Sequence, residues 1–253
     1  MSVCWITGGG TGIGRALAEA LCRRGDRVIL SGRRSDVLES ARRQIAESTP
    51  APVLAIPGDV SRPEYIQRVV ATAEGQWGPI NLLINNAGVN YTHSFSEAAL
   101  AEFRESFEIN CLAAVACIQA VLPAMRARRS GAIVNISSVY GKWASARSAS
   151  YSVAKYAMAG LTDALRQDLQ GSGVHVLGVY PGFIRTPMTE PFVVKGSLRD
   201  RMGRSPEAMA RVILQAIDRG AGELHFPWYV PWVLRLHRWF PSWSDRLAAR
   251  VRR

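Results

Sequence analysis

The chain has 253 residues, 48% of them hydrophobic, and a formal net charge of +11. Such a length and apolar content suit one α/β domain with a large core and exclude a disordered chain. The charge raises nucleic acid or an anionic membrane as partners, but six arginines against one acid fall between His225 and Arg253, so part of the excess belongs to the tail.

Apolar, β-branched runs predict strands at Val3–Thr7, Arg27–Ser31, Val53–Ile56, Leu82–Ile84, Ala132–Ile136, Val174–Val179 and Glu223–Phe226. Helical patterns between them include Gly14–Arg24, Asp36–Glu47, Ala98–Ala127, Tyr151–Gly171 and Pro206–Arg219. This alternation implies right-handed crossovers and a mostly parallel sheet of about seven strands, covered by helices on both faces. Residues 1–226 read as one domain and 227–253 as an extension rich in Trp and Arg. Arg185–Arg204 holds Pro187, Pro191, Gly196 and Gly203 and is long for a connection, which predicts a mobile lid. No run of about 18 apolar residues occurs, so no spanning helix is expected. Nothing in Met1–Ile6 resembles a secretory signal, and a cytoplasmic protein is expected. Cys4, Cys22, Cys111 and Cys117 match no metal or redox spacing and read as small buried hydrophobes in a reducing compartment; the four histidines form no close metal pair.

The first strand runs into Thr7-Gly8-Gly9-Gly10-Thr11-Gly12-Ile13-Gly14 and then a helix. Glycines let the backbone turn sharply and approach a pyrophosphate, and the helix N-terminus offers free N–H groups. A strand–loop–helix in this place reads as a dinucleotide site, Rossmann-type and doubly wound. At the end of the second strand such a fold meets the adenosine ribose. This chain has Leu30-Ser31-Gly32-Arg33-Arg34 there, two guanidiniums and no carboxylate, which favours the 2′-phosphate of NADP.

Further along stands Tyr151-Ser152-Val153-Ala154-Lys155. On a helix the phenol and the ammonium rise from one face, about one turn apart. A phenol titrates near pH ~10 and is a poor acid or base at neutrality. A neighbouring cation is expected to pull that value down and make Tyr151 an acid–base catalyst.

Together these residues are familiar. The chain resembles the short-chain dehydrogenase/reductase family from Val3 to about Phe226. Thr7-Gly8-x-x-x-Gly12-x-Gly14 looks like the family's cofactor loop, Asp59-Val60 like its adenine-contacting pair, and Asn85-Asn86-Ala87-Gly88 like the motif that walls the cofactor. Asn110 matches a helix asparagine, and Ser138, thirteen residues before Tyr151, matches the family serine. Pro181-Gly182, with Ile184 and Thr186 following, looks like the segment that holds the nicotinamide. Each motif alone is modest; all of them in order at matching spacing are specific. The resemblance implies that Lys155 also binds the nicotinamide ribose, that Ser138 donates a hydrogen bond to the substrate oxygen, and that Asn110 holds a water connecting Lys155 to solvent. Ser137 competes with Ser138, but adjacent side chains on a strand face opposite ways, and the spacing selects Ser138. No metal is needed, because the nicotinamide carries the hydride. The family also pairs through its long helices, so a homodimer or homotetramer is expected.

Residues after strands four to six should line the substrate side: Asn90, Tyr91, Thr92 and His93, then Tyr140, Lys142 and Trp143, then Phe183, Ile184, Met188, Phe192 and Val193. The set predicts a lipophilic carbonyl or alcohol. His93 reads as a surface residue in preference to a ligand. In the tail, Pro231 and Pro241 predict two short helices, with Trp232, Leu236, Trp239 and Phe240 on one face. Membrane-surface contact is expected of that face, with subunit packing and pocket closure as alternatives. The leading reading is an NADP-dependent oxidoreductase, ahead of a catalytically silent nucleotide-sensing protein. Nucleic acid is not expected, since no reader motif is present.

Overall fold

A computed structural model describes residues 1–192 and 196–250. Seven parallel strands form one sheet in the order β3-β2-β1-β4-β5-β6-β7: β1 Val3–Thr7, β2 Arg27–Gly32, β3 Val53–Pro57, β4 Leu82–Asn85, β5 Gly131–Ile136, β6 Val174–Pro181 and β7 Glu223–Phe226. Strand order reverses between β1 and β4, and that switch opens a crevice at the C-terminal strand ends.

The central strands are mostly apolar on both faces because both faces are buried, with Thr7, Asn85 and Asn135 as buried polar exceptions. Along β1, Cys4 and Ile6 enter the core beneath helices α1 (Gly12–Arg23), α2 (Ser35–Ser48) and α8 (Pro206–Asp218). Val3 and Trp5 enter the opposite core, beneath α3 (Pro63–Trp77), α5 (Ala113–Ala127) and α6 (Ala149–Asp168). Trp5 is fully buried, and its Nε1 donates to Ser31 Oγ at 2.7 Å, so the indole's one polar atom is satisfied. All four cysteines are buried and free.

The helix expected over 98–127 is interrupted. Helix α4 (Leu100–Phe107) passes through a π-turn at Glu108–Leu112, where the Ala113 amide reaches back to the Glu108 carbonyl, before α5 begins. Among the described residues, Leu100–Ala127 is the one helical stretch long and apolar enough to cross a membrane. The absence of any long uninterrupted apolar run did not reveal it. It packs against the sheet and carries the fully buried Asn110, which marks a core helix.

The predicted lid leaves and returns at one point. The Arg185 amide donates to the Arg204 carbonyl at 2.8 Å, and the Arg204 amide to the Phe183 carbonyl at 3.2 Å. Within it lie a 3-10 turn (Glu190–Phe192) and the short α7 (Leu198–Met202). The tail forms α9 (Val230–Trp239) and α10 (Pro241–Arg250), divided at Pro241.

Candidate active site

A cavity of about 1200 Å³ lies beyond the C-terminal strand ends. It exceeds the ~300–1,000 Å³ of an ordinary small-molecule pocket, enough for a dinucleotide with a second molecule beside it. Gly8, Gly10, Thr11, Gly12, Ile13, Arg33, Arg34, Asp59, Val60, Asn86, Ala87, Gly88, Asn110, Ser138, Tyr151, Lys155, Pro181, Gly182, Ile184 and Thr186 line it. Thr7 and Gly14 do not.

Those two act from behind. Thr7 Oγ1 accepts from the Asn86 and Ala87 amides at 2.9 and 3.0 Å, and Asn86 Nδ2 donates to the Thr7 and Gly8 carbonyls, both at 3.0 Å. The glycine loop and the β4 motif are thereby one unit. A Cβ at Gly14 would lie 2.4 Å from the Gly8 carbonyl oxygen and 2.5 Å from Asn86 Nδ2. Neither can retreat without breaking this clasp. Gly14→Ala is therefore expected to cost about 1–3 kcal/mol of stability and to weaken dinucleotide binding, measured by thermal melts and by titration of NADPH fluorescence; an unshifted melt with unchanged affinity would refute the clasp. Across the cavity the Gly12 backbone faces Thr186, whose Cγ2 would meet an added Cβ at 3.0 Å. That cradle of free amides and missing side chains fits a pyrophosphate.

At the end of β2, Arg33 and Arg34 are exposed. Burial works against the Asp59 carboxylate, but the Ser61 amide and hydroxyl, at 3.0 and 2.9 Å, hold it below its ordinary pKa, helped by Arg33 and Arg62.

At the other end, Ser138 follows β5, and Tyr151 and Lys155 rise from α6. The Ser138 hydroxyl accepts from the Tyr140 amide at 3.1 Å and faces the Tyr151 phenol. Ser137 is spent elsewhere, donating to the Lys155 carbonyl at 2.9 Å. Lys155 Nζ donates to the Ile136 carbonyl at 2.8 Å and sits 5.6 Å from the centre of the Tyr151 ring.

The electrostatics correct one expectation. Lys155 does not pull the Tyr151 phenol down. Burial pushes the phenol up to about 12, against the hydrogen bond from Ser138, with Tyr140 adding to the rise. The ammonium lies over the Tyr151 ring, and burial pushes Lys155 itself down to about 8. Tyr151 is thus a held proton at neutral pH, the form a general acid requires.

Asn110 sits in the π-turn with no exposure. Its Nδ2 donates to the Val89 and Ser106 carbonyls, both at 2.9 Å, and its Oδ1 accepts from the Val89 amide at 3.2 Å. The side chain therefore ties the loop after β4 to α4, with one Oδ1 lone pair left for a water.

On the substrate side Asn90, Tyr91, Thr92, Tyr140, Trp143, Phe183, Ile184 and Met188 line the cavity as expected. His93 does not; it pairs with Glu102 at 3.0 Å on the surface. Lys142 turns away to Glu223 at 3.3 Å and lies over the Tyr180 ring. Val193 lies outside the described residues, as does the Phe192 side chain. Tyr229, Val230 and Val233 of the tail were not among the expected lining residues. Only the alternative of pocket closure by the tail pointed to them.

The short chain dehydrogenase family model matches residues 2–195. The chain belongs to the short-chain dehydrogenase family. It is an oxidoreductase of the short-chain type. A Drosophila melanogaster relative, dehydrogenase/reductase SDR family protein 7-like, is 34% identical over 231 residues, covering 86% of this chain and 70% of its own length. The L-sorbose reductase of Gluconobacter frateurii, solved with NADPH and L-sorbose, superposes with a TM-score of 0.80 at 27% identity, over 89% of this chain and 94% of its own. A short-chain dehydrogenase from Sphingobium yanoikuyae, solved with NADPH, gives 0.82 at 25% identity over 99% and 96%.

Proposed function

We propose that this short-chain oxidoreductase interconverts a lipophilic ketone or aldehyde and its alcohol, uses NADP(H), and runs proton transfer through Tyr151. The observation that carries the reading is the gathering of Ser138, Tyr151 and Lys155 on the wall of one dinucleotide-sized cavity. When bound, the nicotinamide supplies or accepts the hydride. The chain's own groups do the rest. Ser138 donates a hydrogen bond to the substrate oxygen, where negative charge accumulates. Tyr151 gives that oxygen a proton in reduction and takes one in oxidation. Lys155, held by the Ile136 carbonyl, presents positive charge beneath the phenol and orients the ribose. Arg33 and Arg34 receive the 2′-phosphate.

Aromatic and aliphatic walls support a lipophilic substrate: Tyr91, Tyr140, Trp143, Phe183, Met188 and Val233. A reduced NADP pool favours the reductive direction. Exposed Phe107, Leu112, Val153 and Tyr156 on α4–α6 support pairing of copies through these helices.

The test is NADPH oxidation across methyl ketones of increasing length, with NADH as control. Each methylene buried is worth about 0.8 kcal/mol, so kcat/KM should climb roughly fourfold per carbon until the cavity fills. A flat series, or a preference for NADH, would refute the reading.

A further inference from the structure

We propose that the outer face of α9–α10 docks on an anionic lipid bilayer and that the cavity draws its substrate from the membrane there; the second half rests on the lipophilic-substrate reading above. Helix α9 has two faces. The inner one is a fixed wall of the cavity. Val230 and Val233 line it, and Val230 is 1% exposed. A Cβ on Gly182 would lie 2.9 Å from Val230 Cγ2, so the helix seats directly on the end of β6. The His237 ring stacks on Trp143, itself a cavity residue, with centroids 4.9 Å apart. Trp143 Nε1 donates to Asp245 at 3.2 Å, and the His237 ring nitrogen meets buried Ser244 at 2.8 Å.

The outer face is unlike an ordinary soluble surface. Trp232, Leu236 and Trp239 recur every three or four residues along α9, with Trp228 just before it and Trp243 on α10, and they are 63%, 43%, 76%, 70% and 48% exposed. An apolar stripe of this size marks an interaction site, and tryptophan sits well at the headgroup boundary of a bilayer.

Charge decides the partner. Arg235, Arg238 and Arg246 flank the stripe, and none has a carboxylate partner among the described residues. The Arg235 guanidinium lies 5.3 Å from the centre of the Trp232 ring. Asp245, the one acid after Glu223, has an exposed side chain but is taken up by Trp143 and His237, which leaves the three arginines in excess. A second copy seated here would set these arginines against their own kind, whereas anionic headgroups complement them.

Position supplies the consequence. Trp228 and Trp232 adjoin in sequence Tyr229 and Val233, which line the cavity. Met188 lines the cavity and is 41% exposed at its rim. Docking through the stripe therefore brings the mouth to the lipid surface.

The test compares the full chain with Trp232→Ser/Trp239→Ser, two positions outside the cavity lining. Co-sedimentation with phosphatidylcholine–phosphatidylglycerol vesicles is expected for the wild type, weakened by salt and by pure phosphatidylcholine. The double variant is expected to bind roughly tenfold less or worse. Its kcat/KM on a short water-soluble ketone should be unchanged, while its rate on a long-chain ketone dissolved in vesicles falls. A wild type that stays in the supernatant, or a variant that sediments equally, overturns the docking. So does a stripe-dependent shift to a larger oligomer in light scattering without vesicle binding, which would assign the face to a second copy. Vesicle binding as expected with no ketone reduced would leave docking standing and remove the functional reading alone.

Discussion

Replacing Tyr151 with Phe is expected to lower ketone reduction by roughly 10²–10⁴-fold, the usual worth of a positioned general acid, while NADPH binds as before. The substitution removes one oxygen. The ring keeps its edge-on contact with Tyr140, 6.3 Å between centroids, and its place beside the Lys155 ammonium. What is lost is the proton that Ser138 faces. Stopped-flow reduction and fluorescence titration of NADPH separate the two effects. A Tyr151→Phe variant retaining more than a tenth of the rate would mean that the proton comes from elsewhere, and the mechanism would fail.

Replacing Lys155 with Met should abolish most turnover without lowering thermal stability at neutral pH. Burial pushes this ammonium down to about 8 from its ordinary 10.5. The folded protein therefore holds fewer protons at this site than the unfolded chain between those two values. By linkage, the cost of burying the cation is fully present below about pH 8, shrinks as pH rises from there because the folded protein has already released the proton, and is gone above 10.5, where both states are neutral. Methionine removes the cost and keeps the stem, at the expense of the hydrogen bond to the Ile136 carbonyl. The variant's melting temperature relative to wild type should be highest at neutral pH and decline towards pH 10. The same titration governs activity. Tyr151 keeps its proton up to about 12, so wild-type reduction should fall above pH 8 as Lys155 loses its charge. A melt clearly lower than wild type at pH 7, or reduction steady through pH 9, would contradict this assignment.

Much of the fold was readable along the chain because the signals are local. The strand at Val3–Thr7 came out with the observed bounds, and Glu223–Phe226 likewise. Apolar runs buried on both faces leave little room for another assignment. The π-turn at Glu108–Leu112 was not readable, since it shifts one backbone hydrogen bond and leaves the residue pattern helical. The cavity residues after β4, β5 and β6 followed from topology, and His93 lies on the surface as read, but the direction of Lys142 did not follow. That side chain answers to Glu223, a carboxylate 81 residues further along the chain.

Residue order alone set the doubly wound succession of elements, the glycine loop, and which serine, tyrosine and lysine belong together. Local propensity and fixed spacing along strand and helix encode all of these. The tuning of the acid–base pair came from the folded packing, because burial, a property of everything around Tyr151 and Lys155, outweighs the attraction that their four-residue spacing suggests. Packing also made the tail a cavity wall on one face and a bare aromatic stripe on the other. A helical repeat separates two faces, but only the neighbouring Trp143 and Gly182 show which of them turns inward.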